Sequence, residues 1–240
     1  GDVQTILPSG VVSGSSQVVV SNTNTANGFS IVKWDGDGSA SATVGHNLSS
    51  KPDMVIVKDL SEAGGWNTCH VGLASNEGIG LESTGAAFTS MGSNGGITYA
   101  NLNATTFGFA TGSVGVDSVN KSGDEFIAYC FHSVSGYSKF GSYTGDGTTT
   151  KTITTGFQPD FVIIKSTAQY NWEIYDTQRP SGSIAGRYML LANASDTEYT
   201  TSAVHIDITS TGFSFPNGYD GTNKSSQKFI YMAFKIKIKN

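Results

Sequence analysis

Two stretches of the chain repeat one pattern, Lys51-Pro52-Asp53-Met54-Val55-Ile56-Val57-Lys58 and Gln158-Pro159-Asp160-Phe161-Val162-Ile163-Ile164-Lys165. In each stretch Pro-Asp interrupts the chain, and four apolar residues follow on consecutive positions. A short run that is apolar at every position indicates a strand buried on both faces. The recurrence of the whole stretch predicts that the chain contains two copies of one structural unit.

Further pairs of matching residues keep the same order on both sides of these stretches. They are Trp34 and Tyr143, Gly36-Asp37-Gly38 and Gly145-Asp146-Gly147, Trp66 and Trp172, Phe107-Gly108-Phe109 and Phe213-Ser214-Phe215, Asn120-Lys121-Ser122 and Asn223-Lys224-Ser225, and the closing residues 126–131 and 229–234. Matches that keep their order indicate an internal duplication. Only residues 72–96 of the first copy have no close counterpart in the second.

The composition favours strands and turns over helices. Of 240 residues 30 are Gly, and no stretch of helix-forming residues places apolar positions at helical spacing. Each copy has room for about six to eight short strands with turn signals between them. The sequence therefore predicts an all-β fold of two tandem, homologous β-sandwich units, lectin-like or jelly-roll-like. Whether the copies form two sandwiches or halves of one remains open at this point.

The chain divides into three parts in this interpretation. Residues 1–28 are small and polar apart from Val18-Val19-Val20, which predicts an extended linker or stalk. Residues 29–134 and 135–240 are the two sandwich repeats. The two cysteines, Cys69 and Cys130, are too few for a disulfide framework. Unpaired buried thiols are the favoured interpretation, and a single bridge between them stays open.

The charge balance argues against two classes of partner. The net charge is −5, and only 14% of the residues are charged. Nucleic-acid binding requires a basic surface that displaces phosphate counterions, and anionic membranes attract basic segments. Scattered lysines in an acidic chain provide neither. No segment has the roughly 20 apolar residues of a membrane span, so no membrane insertion is predicted.

Some aspartates are candidates for a metal site or for catalysis. Asp35 and Asp37 resemble the start of a calcium loop, but no Glu completes the ligand set. The second copy has Thr144 at the position of Asp35, so a turn is the better interpretation. Asp53 and Asp160 follow Pro in both copies and are interpreted as turn residues that start a strand.

Glu173 and Asp176 are candidates for the acid–base pair of a polysaccharide-cleaving enzyme. Residues three apart on a strand lie on opposite faces, so this pairing is not expected to form. The histidines show no metal-binding spacing. The sequence predicts no catalytic residue, no metal and no cofactor.

Aromatic residues are the candidates for sugar binding, because ring faces stack on the apolar faces of saccharides. Trp66 and Trp172 recur in both copies and are predicted to pack in the cores. The loop before Trp172 and the turn at residues 217–221 are predicted to be exposed. The residues predicted to bind ligand are Tyr170, Asn171, Tyr219 and Asp220.

The repeated pattern resembles an uncharacterised tandem β-domain of virion proteins, of the tail-fibre type, from marine and cyanobacterial bacteriophages. The similarity covers residues 29–234 and includes the join, residues 136–145; residues 10–17 also resemble a segment common in cyanophage fibre proteins. The resemblance implies a place on the virion surface, on the tail or the capsid exterior, and carries no catalytic motif. It also implies other virion proteins as partners and a homo-oligomer, with a trimer favoured.

Three functions follow from these expectations. The favoured one is a bacteriophage virion structural protein, a tail-fibre or tail-associated domain that contacts host-surface glycan or protein. The alternative is a purely structural capsid-decoration or spacer component. A polysaccharide depolymerase is the least favoured, and the chain is predicted not to be an enzyme.

Overall fold

The computed structural model describes residues 18–89, 95–113, 115–179, 188–201 and 206–236, with side chains from residue 22 onward. Every pairing between its described strands is antiparallel, and its described helices are single turns, so the predicted all-β class is confirmed. The described residues form two compact units. The first comprises residues 18–81 and 87–132, and the second comprises Glu82–Ala86 and residues 133–236.

The first unit contains a larger sheet in the order β1-β2-β8-β4-β5-β6 and a smaller one that pairs β3 with β7. A single helical turn, α1 (Asp117–Asn120), precedes the last strand. The strands are β1 (Val18–Asn24), β2 (Phe29–Asp35), β3 (Thr43–Gly45), β4 (Met54–Asp59), β5 (Asn67–His70), β6 (Ile79–Gly80), β7 (Thr106–Gly108) and β8 (Glu125–Phe131).

The second unit repeats this arrangement. Its larger sheet has the order β13-β12-β11-β16-β9, and its smaller sheet has the order β10-β15-β14. The helical turn α2 (Asp220–Asn223) again precedes the last strand. The strands are β9 (Ser138–Thr144), β10 (Thr152–Thr154), β11 (Phe161–Ser166), β12 (Trp172–Asp176), β13 (Leu190–Leu191), β14 (Asp207–Thr209), β15 (Gly212–Ser214) and β16 (Lys228–Phe234). Without β1, the larger sheets of both units have the same strand order, which supports the internal duplication.

The two cores are built around equivalent aromatic residues. The ring of Trp34 lies within 6.1 Å, centroid to centroid, of the rings of Phe107, Phe109 and Phe126. Tyr143 has the same place in the second unit, where its ring lies within 6.4 Å of those of Phe213, Phe215 and Phe229. Residues from the larger and the smaller sheet contribute to each core. The aromatic matches in the sequence therefore mark the centre of each unit.

The central strands were predicted to be buried on both faces. This is confirmed for β4, where all four of residues 54–57 are buried. In β11 only Val162 and Ile164 are buried among the first four residues, while Phe161 and Ile163 are half-buried.

The repeated Gly-Asp-Gly turn is held by the repeated Asn-Lys-Ser segment. Asn120 is fully buried and donates its Nδ2 hydrogens to Asp37 Oδ1 at 2.7 Å and to the Ser39 carbonyl at 3.0 Å. Asn223 makes the same two contacts, to Asp146 Oδ1 at 3.1 Å and to the Thr148 carbonyl at 2.8 Å.

The flanking glycines and the aspartate have defined roles in this turn. A Cβ at Gly36 would collide with the carbonyl of Lys121, so the backbones approach too closely for any other residue. Gly38 has a φ of 75°, which glycine adopts without strain. Asp37 accepts from the Ser39 amide at 2.9 Å as well as from Asn120. These contacts support the interpretation of Asp37 as a turn residue.

One part of the predicted linker belongs to a sheet. Residues 1–28 were predicted to form an extended segment outside the repeats, but Val18–Asn24 form β1 and pair with β2. A 3-10 turn over Thr25–Asn27 joins the two strands, and Gly28 leaves it with a φ of 65°. The β-branched residues 18–20 favour a strand once an edge such as β2 is available to pair with. Residues 1–17 lie outside the described residues.

The predicted burial of tryptophans and cysteines is largely observed. Trp172 is buried, whereas Trp66 is half-buried, and its ring centroid lies 6.3 Å from that of Tyr129. The second unit has Tyr170 and Asn171 before its tryptophan where the first has glycines, so fewer side chains are available to cover Trp66. Cys69 and Cys130 are buried and unbridged. Burial raises the pKa of both thiols, that of Cys69 to about 12, so they stay protonated and unreactive at neutral pH.

None of the helices among the described residues has the length and apolar character needed to cross a membrane.

Candidate functional site

In each unit, the strand after the central strand meets the helical turn before the last strand. In the first unit, Asn67 at the start of β5 donates its Nδ2 hydrogen to the carbonyl of Ser118 in α1, at 3.4 Å. In the second unit, Glu173 of β12 is hydrogen-bonded to Tyr219, the residue directly before α2. Asn67 and Glu173 both follow the repeated tryptophan, so the two contacts occupy equivalent positions. We call this position the helix end of each unit.

At the helix end of the second unit lies a buried carboxylate. Glu173 is 1% exposed, and its Oε2 accepts a hydrogen bond from the Tyr175 hydroxyl at 2.8 Å. Burial raises the pKa of Glu173 to about 7, while hydrogen bonds from Tyr175 and Tyr219 and the charge of Lys165 act in the opposite direction. Residues two apart on a strand share a face, which explains why Glu173 meets Tyr175 inside the unit.

Lys165, the last residue of the repeated stretch, is buried in the same unit. Its ammonium group donates to three carbonyls, those of Ser166 at 2.7 Å, Ala168 at 3.0 Å and Gly85 at 3.0 Å. An ammonium group has three N–H donors, so all of them are used. Burial lowers the pKa of Lys165 to about 8, and the negative charge of Glu173 opposes this shift.

Two of the four predicted ligand-binding residues are brought together here. Tyr219 is half-buried, and Tyr170 and Tyr199 lie close enough to influence its pKa. Burial and the nearby Glu173 raise the pKa of Tyr219. Tyr170 is also half-buried and therefore offers part of its ring to solvent. We call Tyr170, Tyr199 and Tyr219 the tyrosine rim.

The other two predicted residues have different environments. Asp220 begins α2 and is exposed, with its carboxylate 3.5 Å from the Lys224 ammonium group. The Asn171 side chain accepts a hydrogen bond from Asn193 at 2.9 Å and so helps to fix the loop that follows β13. Tyr199 was not identified from the sequence, because it is a single aromatic residue in a loop without a counterpart motif.

Glu173 and Asp176 do not form an acid–base pair. Glu173 lies on the buried face of β12, whereas Asp176 is bound by Arg179, whose Nε is 2.7 Å from its Oδ2. Arg179 also donates to Glu198 at 2.9 Å. The two carboxylates thus lie on opposite faces of the strand, as alternation predicted.

At the helix end of the first unit there is an open cleft of about 190 Å³. It has Asn67 where the second unit has Glu173, and Ser118 where the second has Gly221. A Cβ at Gly221 would collide with Glu173 Oε1, so the buried carboxylate and the glycine occur together. The lining residues are Asp59, Glu62, Ala63, Gly64, Gly65, Asn67, Asp117, Ser118 and Lys121.

Three carboxylates beside this cleft have the spacing of a cation site. Oxygens of Asp59, Glu62 and Asp124 lie within 4.8 Å of one another. The Lys121 ammonium group forms ion pairs with Glu62 and, at 3.4 Å, with Asp124. Lysine therefore already supplies a positive charge within this acidic group.

Comparison with known proteins gives one positive result. The model of the family DUF7483, described as a domain of unknown function, matches residues 8–237. No curated protein and no solved structure shows significant similarity to the chain. The match extends through both units.

Proposed function

The chain belongs to the DUF7483 family, and we propose that it is a non-enzymatic bacteriophage virion protein that contacts host-surface glycan through the tyrosine rim of its second unit. One observation carries the proposal. Tyr170 and Tyr219, distant in sequence, lie near each other and are each partly open to solvent.

The geometry of the rim suits a sugar ligand. Aromatic rings provide flat apolar surfaces, and the hydrogen bond from Tyr219 to the buried Glu173 fixes one of these rings before a ligand arrives. A ring that is already ordered loses less conformational entropy on binding. The exposed carboxylate of Asp220 next to Tyr219 provides acceptors for sugar hydroxyl groups.

The proposal includes the architecture and the setting of the protein. Two sheets that share one core in each unit support a β-sandwich of the lectin-like type. The resemblance to tail-fibre-type proteins supports a place on the virion surface, on tail or capsid exterior, among other virion proteins and as a homo-oligomer, with a trimer favoured. Nucleic acid and membrane are not among the proposed partners, given the net charge of −5.

A purely structural role is the second candidate, because the rim hydroxyls also have partners within the unit. Tyr219 is bonded to Glu173, and the Tyr199 hydroxyl donates to Asp196 at 3.0 Å. Such contacts equally suit a rigid spacer.

Adsorption to host cells tests the proposal. Labelled protein is added to candidate host cells with and without competing surface polysaccharide. Saturable binding that the polysaccharide abolishes is expected. Tyr170→Ala should lower the affinity at least tenfold, whereas Tyr170→Phe, which keeps the ring, should bind nearly as the natural chain does.

Tyr129→Ala is the matched control, since Tyr129 is a half-buried tyrosine of the first unit. Equal loss of binding in Tyr129→Ala and Tyr170→Ala would contradict the assignment to the rim. Absence of adsorption by the folded natural chain to every host tested would favour the spacer role.

A further inference from the structure

The second unit is completed by a loop from a distant part of the sequence. Glu82–Ala86 follow β6 in the chain, yet they belong to the second unit. Within this loop, which we call loop 82–86, the carbonyl of Gly85 accepts the third hydrogen bond of the buried Lys165 at 3.0 Å. This contact is made by backbone and therefore requires no particular side chain in the loop.

In the first unit the equivalent lysine lacks such a contact. Lys58 donates to the carbonyls of Asp59 at 2.6 Å and Glu62 at 3.3 Å, which correspond to two of the three bonds of Lys165. Among the described residues no acceptor is found for its third N–H. Lys58 is half-exposed. It does not itself line the open cleft, but Asp59 and Glu62, which supply its two acceptors, do.

The second unit has a loop that corresponds to loop 82–86. Gly80 pairs with Asn67 just as Leu191 pairs with Glu173, and the next residues, Leu81 and Ala192, both donate to the carbonyl of the preceding tryptophan. This register places residues 193–197, loop 193–197, at the position of loop 82–86. All of residues 194–197 are exposed.

Among the described residues, Lys58 of the first unit therefore has no loop in the place of loop 82–86. Loop 193–197 of the second unit has the position of such a loop but is exposed. We propose that copies of this chain associate head to tail, with loop 193–197 of one copy bound at Lys58 of the next copy, beside the first-unit cleft. A backbone carbonyl of the loop accepts from Lys58, as Gly85 does from Lys165. Contacts between two different surfaces of identical chains produce closed rings or filaments. This inference does not depend on the proposed glycan binding.

The test measures mass in solution by sedimentation at increasing concentration of the full chain. The natural chain should reach at least twice the 25.1 kDa of one copy. Gly64→Trp fills the cleft, and a side chain at Gly64 meets no atom within 4 Å and no unfavourable φ. Ser195→Trp blocks the exposed loop. Each of these variants alone should remain at the mass of one copy.

Mixing the two variants provides the sharper result. Gly64→Trp retains a free loop and Ser195→Trp retains a free cleft, so an equimolar mixture should form dimers that stop at two copies. Lys58→Met should weaken self-association, and Thr149→Trp, on an exposed loop, should assemble as the natural chain does. A monomeric natural chain at every concentration, or assembly of Gly64→Trp alone, would overturn the proposal.

Discussion

The two units have the same strand order and the same lysine, yet the lysine is enclosed in one unit and half-exposed in the other. In the second unit Lys165 is fully buried, with three carbonyl acceptors. In the first unit Lys58 is half-exposed, with two carbonyl acceptors beside a cleft. Both copies have this lysine, while nearby residues differ between them: Asn67 and Ser118 in the first unit stand where the second has Glu173 and Gly221.

The largest difference is expected when the two lysines are removed. Lys165→Met leaves three carbonyls at a buried site without their donor, so the second unit should lose about 4 kcal/mol of unfolding free energy. Lys58→Met should lower the unfolding free energy of the first unit by less than about 1 kcal/mol, because water can reach the carbonyls that lose their donor. Urea denaturation of both variants measures the difference.

Fluorescence assigns the change to a unit. Trp172 lies in the second unit and the other two tryptophans lie in the first, so a Trp172→Phe background reports on the first unit alone. Equal losses in Lys58→Met and Lys165→Met would contradict the distinction between an enclosed and a half-exposed lysine.

The second expected effect is on the pH dependence of stability. The pKa of Glu173 rises from 4.5 to about 7 on folding. Between these values the unfolded chain loses its proton first, so the unfolding free energy of the second unit should fall by about 3 kcal/mol as the pH rises from 4.5 to 7. Below pH 4.5 the group is protonated in both states and contributes no such change.

Glu173→Gln should remove this decline, which denaturation at several pH values detects. The first unit, with the uncharged Asn67, is the internal control. Lys165, whose pKa is lowered to about 8, acts in the alkaline range, where stability should rise between pH 8 and 10.5. A decline between pH 4.5 and 7 that persists in Glu173→Gln would refute the assignment.

The smallest expected effect concerns the residue pair Glu173 and Gly221, which corresponds to Asn67 and Ser118 of the first unit. Gly221→Ser introduces a Cβ that collides with Glu173 and should lower the unfolding free energy by about 2 kcal/mol. Adding Glu173→Asn to Gly221→Ser recreates the residue pair of the first unit. The double variant should therefore lose less unfolding free energy than the sum of the losses of the two single variants. Ser118→Ala is the control in the first unit and should change stability by less than about 0.5 kcal/mol. Additive losses would mean that the two positions diverged independently.

The sequence predicted the repeat and the all-β class, and it matched the aromatic residues now found at the centre of each core without predicting that they lie there. These features depend on local turns and on apolar residues that must be buried in each copy of the unit. The Asn-Lys-Ser and Gly-Asp-Gly matches were found from sequence, although their direct contact in each unit was not. The counterpart of residues 72–96 was missed, because β6 and β13 are two-residue strands fixed by pairing and not by side-chain type.

The candidate site could be predicted only in part. Tyr170 and Tyr219 were identified separately from turn composition, but nothing in the sequence indicated that they meet. Glu173 was considered as an acid and set aside, although its place two residues before Tyr175 puts both side chains on one face of the strand. The bond from Lys165 to Gly85 could not be predicted, because a backbone carbonyl leaves no signature in sequence.

Because of loop 82–86, the second compact unit of the structure is not identical to the second copy of the repeated sequence. A fragment cut at the repeat boundary, residues 135–240, would contain a complete copy of the duplicated sequence but not the carbonyl that Lys165 requires. During synthesis this loop leaves the ribosome before any of residues 133–236 have been made. A part of the interior of the second unit is therefore already synthesised before the rest of that unit exists.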